Sequence, residues 1–84
     1  MTLPNPAKAT VYRMVTPSHT CPYGRKAVEL LRREGFEVED RWLTTRDEVD
    51  AFKAEHDVRT TPLAFIDGAR VGGYADLRRL LGAQ

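Results

Sequence analysis

Apolar positions along this chain alternate, pass to helical spacing, and alternate again, and that succession predicts its elements. Thr10–Val15 (TVYRMV) is β-branched or aromatic at most positions, which predicts a strand. Pro17 interrupts it, and Thr16–Thr20 (TPSHT) reads as a polar turn delivering the chain to Cys21. Ala27, Val28, Leu30, Leu31 and Phe36 then follow helical spacing, with Lys26, Glu29, Arg32 and Arg33 on the other face. Pro22 suits a helix first turn and Gly35 a helix stop, so the spacing predicts a helix over Pro22–Glu34.

Phe36–Leu43 (FEVEDRWL) alternates again, irregularly at Asp40–Arg41, and predicts a second strand with Trp42 packed in or beside the core. Thr44 or Thr45 can cap a second helix, with acidic Asp47 and Glu48 in its first turn. Val49, Ala51 and Phe52 give that helix an apolar stripe, which fades near His56–Asp57. Pro62–Ile66 reads as a third strand, Asp67–Gly68 as a tight turn and Ala69–Val71 as a fourth strand. Asp76–Leu81 closes the chain as a helix, with Leu77, Leu80 and Leu81 facing inward and Arg78 and Arg79 outward. The order is β-α-β-α-β-β-α. Its first half needs a parallel crossover and its second adds antiparallel strands, so a four-stranded mixed sheet with helices on both faces is expected.

An 84-residue chain has room for one domain. Residues 1–9, with Pro4 and Pro6, read as an N-terminal arm, and residues 10–84 as the domain. Thirteen Lys plus Arg stand against twelve Asp plus Glu, a balance that gives no reason to expect nucleic acid or an anionic membrane as partner. No apolar run suggests a signal peptide or a membrane span. The one cysteine rules out an intramolecular disulfide and a cysteine-rich zinc site within one chain. A small domain without such staples suits a reducing compartment, and the cytoplasm is the expected address.

Cys21 follows a polar turn and precedes a helix. A thiolate there faces unpaired backbone N–H groups and the positive end of the helix dipole. Arg25 and Lys26 lie within about one turn and add positive charge. All three favour the thiolate, which is the nucleophile in disulfide exchange. A lone cysteine in an arbitrary domain is more often a small buried hydrophobe. Here Thr20, Pro22, Tyr23 and Gly24 form a loop tip rather than an apolar stripe, which puts the reactive reading ahead.

Three motifs in register carry a resemblance. Thr20-Cys21-Pro22-Tyr23-Gly24 is similar to the glutaredoxin active-site loop, usually Cys-Pro-Tyr-Cys. Thr60-Thr61-Pro62 resembles that family's Thr-Val-Pro, whose proline is cis, and Gly72-Gly73-Tyr74-Ala75-Asp76-Leu77 resembles its Gly-Gly-x-x-Asp-Leu loop. The resemblance covers the chain beyond the arm. It implies a thioredoxin-like fold, a four-stranded mixed sheet flanked by three helices, and glutathione-dependent thiol–disulfide oxidoreductase activity with glutathione as cosubstrate.

It further implies that Cys21 is the nucleophile and that the Thr61 backbone beside Pro62 pairs with the glutathione cysteine as a short added strand. Gly73 would let the tripeptide approach, the N–H groups of Ala75 and Asp76 would meet a carboxylate, and the Asp76 side chain would pair with the γ-glutamyl α-amino group. Tyr23 would line the groove, and Arg59 would lie near the glycine carboxylate. Taken without these motifs, Asp76 reads as an ordinary helix N-terminal acid and Arg59 as a solvated charge.

Gly24 replaces the second cysteine, which implies a monothiol mechanism, and a monomer is expected. Pro17, Ser18 and His19 stand where the family has a lysine, leaving Arg13 or His19 to take its role unless that role is lost. The family's basic or Gln position on the second helix falls at Val49, with Arg46 nearby. Two other readings stay open. One is a dimer holding a glutathione-ligated [2Fe–2S] cluster through Cys21 of each chain, disfavoured by the proline after the cysteine. The other is a non-catalytic redox adaptor. No other metal ligation is expected.

Overall fold

The computed structural model describes residues 8–16, 19–20 and 22–82. Cys21 and Pro17–Ser18 lie outside the described residues. The elements run β1 (Lys8–Thr16), β2 (His19–Thr20), α1 (Pro22–Arg33), β3 (Glu37–Leu43), α2 (Arg46–His56), β4 (Leu63–Ile66), β5 (Ala69–Gly72) and α3 (Tyr74–Leu81). β1 is the centre of the sheet. β3 lies parallel to it, with Lys8 opposite Glu37 and Met14 opposite Leu43. β4 lies antiparallel on β1 and β5 antiparallel on β4, so the main sheet reads β3-β1-β4-β5. This is the expected mixed four-stranded sheet with three helices.

Strand alternation sorts the helices onto the two faces. Ala9 and Val11 of β1 point to one side and join Ala27, Val28, Leu30 and Leu31 of α1, Ala64 of β4 and Leu77 of α3 in the buried core. Tyr12, one residue on, points the other way, because successive strand side chains face opposite sides. Its ring lies 4.8 Å from Phe52 of α2 and 5.9 Å, edge-on, from Phe65 of β4. His56 joins this aromatic layer, with its ring 4.3 Å from Phe52.

Local signals set the helix ends. Gly35, at φ 91°, stops α1, with the Phe36 N–H donating to the Leu31 carbonyl at 3.0 Å. Of the two candidate caps for α2, Thr45 is used. Its hydroxyl accepts from the Glu48 N–H at 3.1 Å, and the Glu48 carboxylate accepts from the Thr45 N–H at 3.1 Å. Thr45→Ala removes the hydroxyl half of this box and is expected to lower the melting temperature by about 5 °C, read by circular dichroism.

Four sequence expectations are corrected. β1 begins at Lys8, inside the expected arm, because Ala9 is only 2% exposed and pairs with both Val38 and Ile66. The expected turn Thr16–Thr20 contains a short strand: His19 and Thr20 pair antiparallel with Thr16 and Val15. Trp42 is 55% exposed on β3, an edge strand of the sheet, with the Arg13 guanidinium at its ring. Leu80 is 60% exposed and Ala51 is exposed, because the buried lines of α3 and α2 run through Leu77 and through Val49 and Phe52 instead.

Candidate functional site

The first turn of α1, the segment before β4 and the start of α3 surround a groove of about 590 Å³. Tyr23 of α1 lines it, as do Thr60, Thr61 and Pro62. Gly73, Tyr74, Ala75, Asp76 and Arg78 complete the wall. Stretches far apart in sequence thus share one surface. The Thr61–Pro62 bond is cis, as the resemblance implied. Cys21, the expected nucleophile, immediately precedes α1 and lies outside the described residues. Tyr23, two residues after it, is 55% exposed on the groove.

Aromatic rings close one side of the groove. Tyr23 and Tyr74 have ring centroids 6.1 Å apart, tilted by 39°. The Lys26 ammonium lies 5.3 Å from the Tyr23 ring, and the Arg78 guanidinium 5.8 Å from that of Tyr74. Contacts of this kind keep cations near a ligand surface while their charge stays exposed.

The α3 entrance is organised by Asp76. One carboxylate oxygen accepts from the Gly73 N–H at 3.1 Å, and the other is paired with the Arg79 guanidinium. These two partners hold the Asp76 carboxyl below the usual carboxylate range, the Gly73 N–H contributing most. Gly72 makes this return possible. It sits at φ 125°, and a Cβ there would lie 2.9 Å from the Asp76 carboxyl carbon. Gly73 has an ordinary φ of −85°, and a Cβ there would only touch the Pro62 carbonyl oxygen at 3.6 Å. The need for glycine therefore falls on Gly72, while Gly73 supplies groove wall and the helix N-cap.

Behind the first turn of α1 sits a second group. Arg13 of β1 forms two hydrogen bonds with Asp40 of β3, at 2.8 and 2.9 Å, and its guanidinium lies 5.3 Å from the Trp42 ring. Burial opposes ionisation of Asp40, but hydrogen bonds from Arg13 and Trp42 and the Arg13 charge outweigh it, so the carboxyl titrates below its ordinary range. The Arg13 stem packs under Gly24, which is buried. Arg13 is thereby engaged by Asp40, with a side chain only 11% exposed. The His19 side chain lies outside what is described. Val49 is buried at 1% exposure, and Arg46 pairs with Asp50 at 3.4 Å.

The expected site residues thus divide. Tyr23, Thr61, Pro62, Gly73, Ala75 and Asp76 meet in the groove. Arg59 does not line it: it is exposed in the bend after α2, and closeness to Pro62 along the chain does not bring it to the wall. Arg78, exposed as expected of an outer helix face, also lines the groove. An aromatic–arginine pair four apart on one helix, Tyr74 and Arg78, was the available signal.

A family model described as Glutaredoxin matches residues 9–71. Among solved structures, glutaredoxin 1 from Francisella tularensis, complexed with cacodylate, is 20% identical over 87% of this chain and 90% of its own, with a TM-score of 0.74. The glutaredoxin from Brucella melitensis is 28% identical over 90% of this chain and 79% of its own, with a TM-score of 0.61. A buckwheat glutaredoxin–glutathione complex is 20% identical over 94% and 74%, also at 0.61. At 20% identity, the first and third of these likenesses carry the fold alone. No curated protein matches the chain.

Proposed function

The chain belongs to the glutaredoxin family and has its thioredoxin-like fold, and from that premise we propose that it is a glutathione-dependent thiol–disulfide oxidoreductase with Cys21 as its one sulfur nucleophile. The observation that carries this reading is the groove beside α1, where Tyr23, the cis Thr61–Pro62 segment and the capped start of α3 converge. Its size and its mixture of backbone, aromatic and charged groups suit an extended tripeptide.

The chemistry proceeds by two exchanges. The Cys21 thiolate attacks the glutathione sulfur of a mixed disulfide. The Cys21–glutathione bond forms, the old disulfide breaks, and the substrate leaves as a thiolate that takes a proton from water. A second glutathione thiolate then attacks the glutathione sulfur on Cys21. Oxidised glutathione leaves, and the Cys21 thiolate is regenerated. Since position 24 is glycine, no second sulfur of the motif competes for the intermediate. In this reading the Thr61 backbone pairs with the glutathione cysteine, the α3 N-terminus and Arg78 receive a carboxylate, and Asp76 receives the ammonium. A single thiol without disulfide staples fits work in the cytoplasm, and one thiol and one groove per chain fit action as a monomer.

Treating the protein with the mixed disulfide of glutathione and mercaptoethanol, without free glutathione, tests this directly. Intact mass should rise by one glutathione on Cys21. Amide NMR shifts should concentrate at Thr61, Gly73, Ala75 and Asp76. Absence of the adduct would refute the enzyme, and an adduct without those shifts would refute the groove as its seat.

A further inference from the structure

Among the described residues, the groove is lined by one carboxylate, Asp76, and one cation, Arg78. An ammonium group entering it therefore meets Asp76 as its charged acceptor among the described residues. Both oxygens of that acceptor are already engaged, one by the Gly73 N–H at 3.1 Å and the other by Arg79. Arg79 is not part of the groove. Its side chain is 77% exposed and lies in the neighbouring hollow with Arg70, Val71 and Leu80. Asp76 lines both hollows, the groove on one side and the Arg79 hollow on the other.

We propose that Arg79 is a specificity-determining residue: its guanidinium competes with the ligand's ammonium for Asp76, and so weakens the preference for thiols bearing a free amino group at that end. This rests on the glutathione reading above and deepens it. The class of ligand affected is the γ-glutamyl thiols, whose α-amino group must displace or share the Arg79 contact. Ligands of the same shape without the amino group avoid the competition. An exposed ion pair of this kind is weak, so the effect is a graded loss of selectivity rather than a block. Arg78, four residues after Tyr74 and held at its ring, keeps its charge on the groove side and is unaffected.

The test compares two non-reactive probes, S-methylglutathione and its analogue with a glutaryl group in place of γ-glutamyl. Their dissociation constants are measured by calorimetry for wild type, Arg79→Gln and Arg79→Lys. The informative quantity is the ratio of the two affinities, because loss of the Arg79 charge acts on the carboxylates of both probes alike. Arg79→Gln should raise the preference for the amino-bearing probe by about two- to five-fold, and Arg79→Lys should largely retain the wild-type ratio. An unchanged ratio in Arg79→Gln, with both probes still bound, would overturn the competition while leaving the glutathione reading intact. Failure of wild type to bind either probe would overturn both.

Discussion

Cys21→Ser is expected to bring glutathione-linked reduction of mixed disulfides down to the rate without protein, rather than merely to slow it. The reason is arithmetic as much as chemistry. The 84 residues hold one cysteine, so no second sulfur can take over. A free thiol ionises at about 8.5 and lower at a helix entrance, whereas a serine hydroxyl stays protonated at neutral pH and does not exchange with disulfides. The position supports the first exchange through the α1 N-terminus and the nearby Arg25 and Lys26, and these aids act only on a group that can carry negative charge there. Turnover in a glutathione-coupled assay reads the effect, and a thermal melt of the variant separates loss of the sulfur from loss of the fold. Residual turnover that is inhibited by thiol alkylation in wild type but persists in Cys21→Ser would sink the assignment.

Gly24→Ala is expected to lower stability by about 1–2 kcal/mol, although alanine is the better helix former. Two effects oppose each other. Replacing a helical glycine by alanine gains at most about 1 kcal/mol, and less in a first turn. Against that, a Cβ at position 24 would lie 2.7 Å from the Arg13 Cβ and 3.1 Å from its Cδ. The Arg13 Cβ is fixed to the backbone of the central strand, so α1 must move away from β1. That movement disturbs Ala27, Val28 and Leu31, all within the core and at most 3% exposed. Overpacking of this sort costs about 1–3 kcal/mol, and it prevails.

The same contact bears on function. Gly24→Cys, which restores the family's second cysteine, should be destabilised at least as much as Gly24→Ala, so a dithiol motif is not recovered by one substitution. Urea denaturation midpoints measure both variants. In a double-mutant cycle with Arg13→Gly, the Gly24→Ala penalty should largely disappear. A penalty of the same size in both backgrounds would show that the Arg13 contact is not its cause.

Much of the fold could be read from the residues because its signals are local. Helical spacing across Ala27–Leu31, the stop at Gly35 and the Thr45–Glu48 cap act within a few residues of where they are read. The same holds for most of the site. The three motifs name Tyr23, Thr61, Pro62, Gly73, Ala75 and Asp76, and folding brings them to one groove. What failed depended on neighbours distant in sequence. Trp42 and Leu80 look like core residues by hydropathy, yet both stand exposed, because which face of an element is covered depends on the partner packed there. Arg78 looks like an outward-facing helix residue, yet it also lines the groove.

The sequence by itself determined the order of elements, their caps and stops, and the presence of one sulfur at a helix entrance, because each follows from the chemistry of consecutive residues. Only the tertiary structure decided that Arg13 is spent on Asp40 and that Gly24 is held open for the Arg13 stem. Both join positions eleven or more apart in the chain. Such contacts depend on strand register and helix placement, which no stretch of the chain specifies alone.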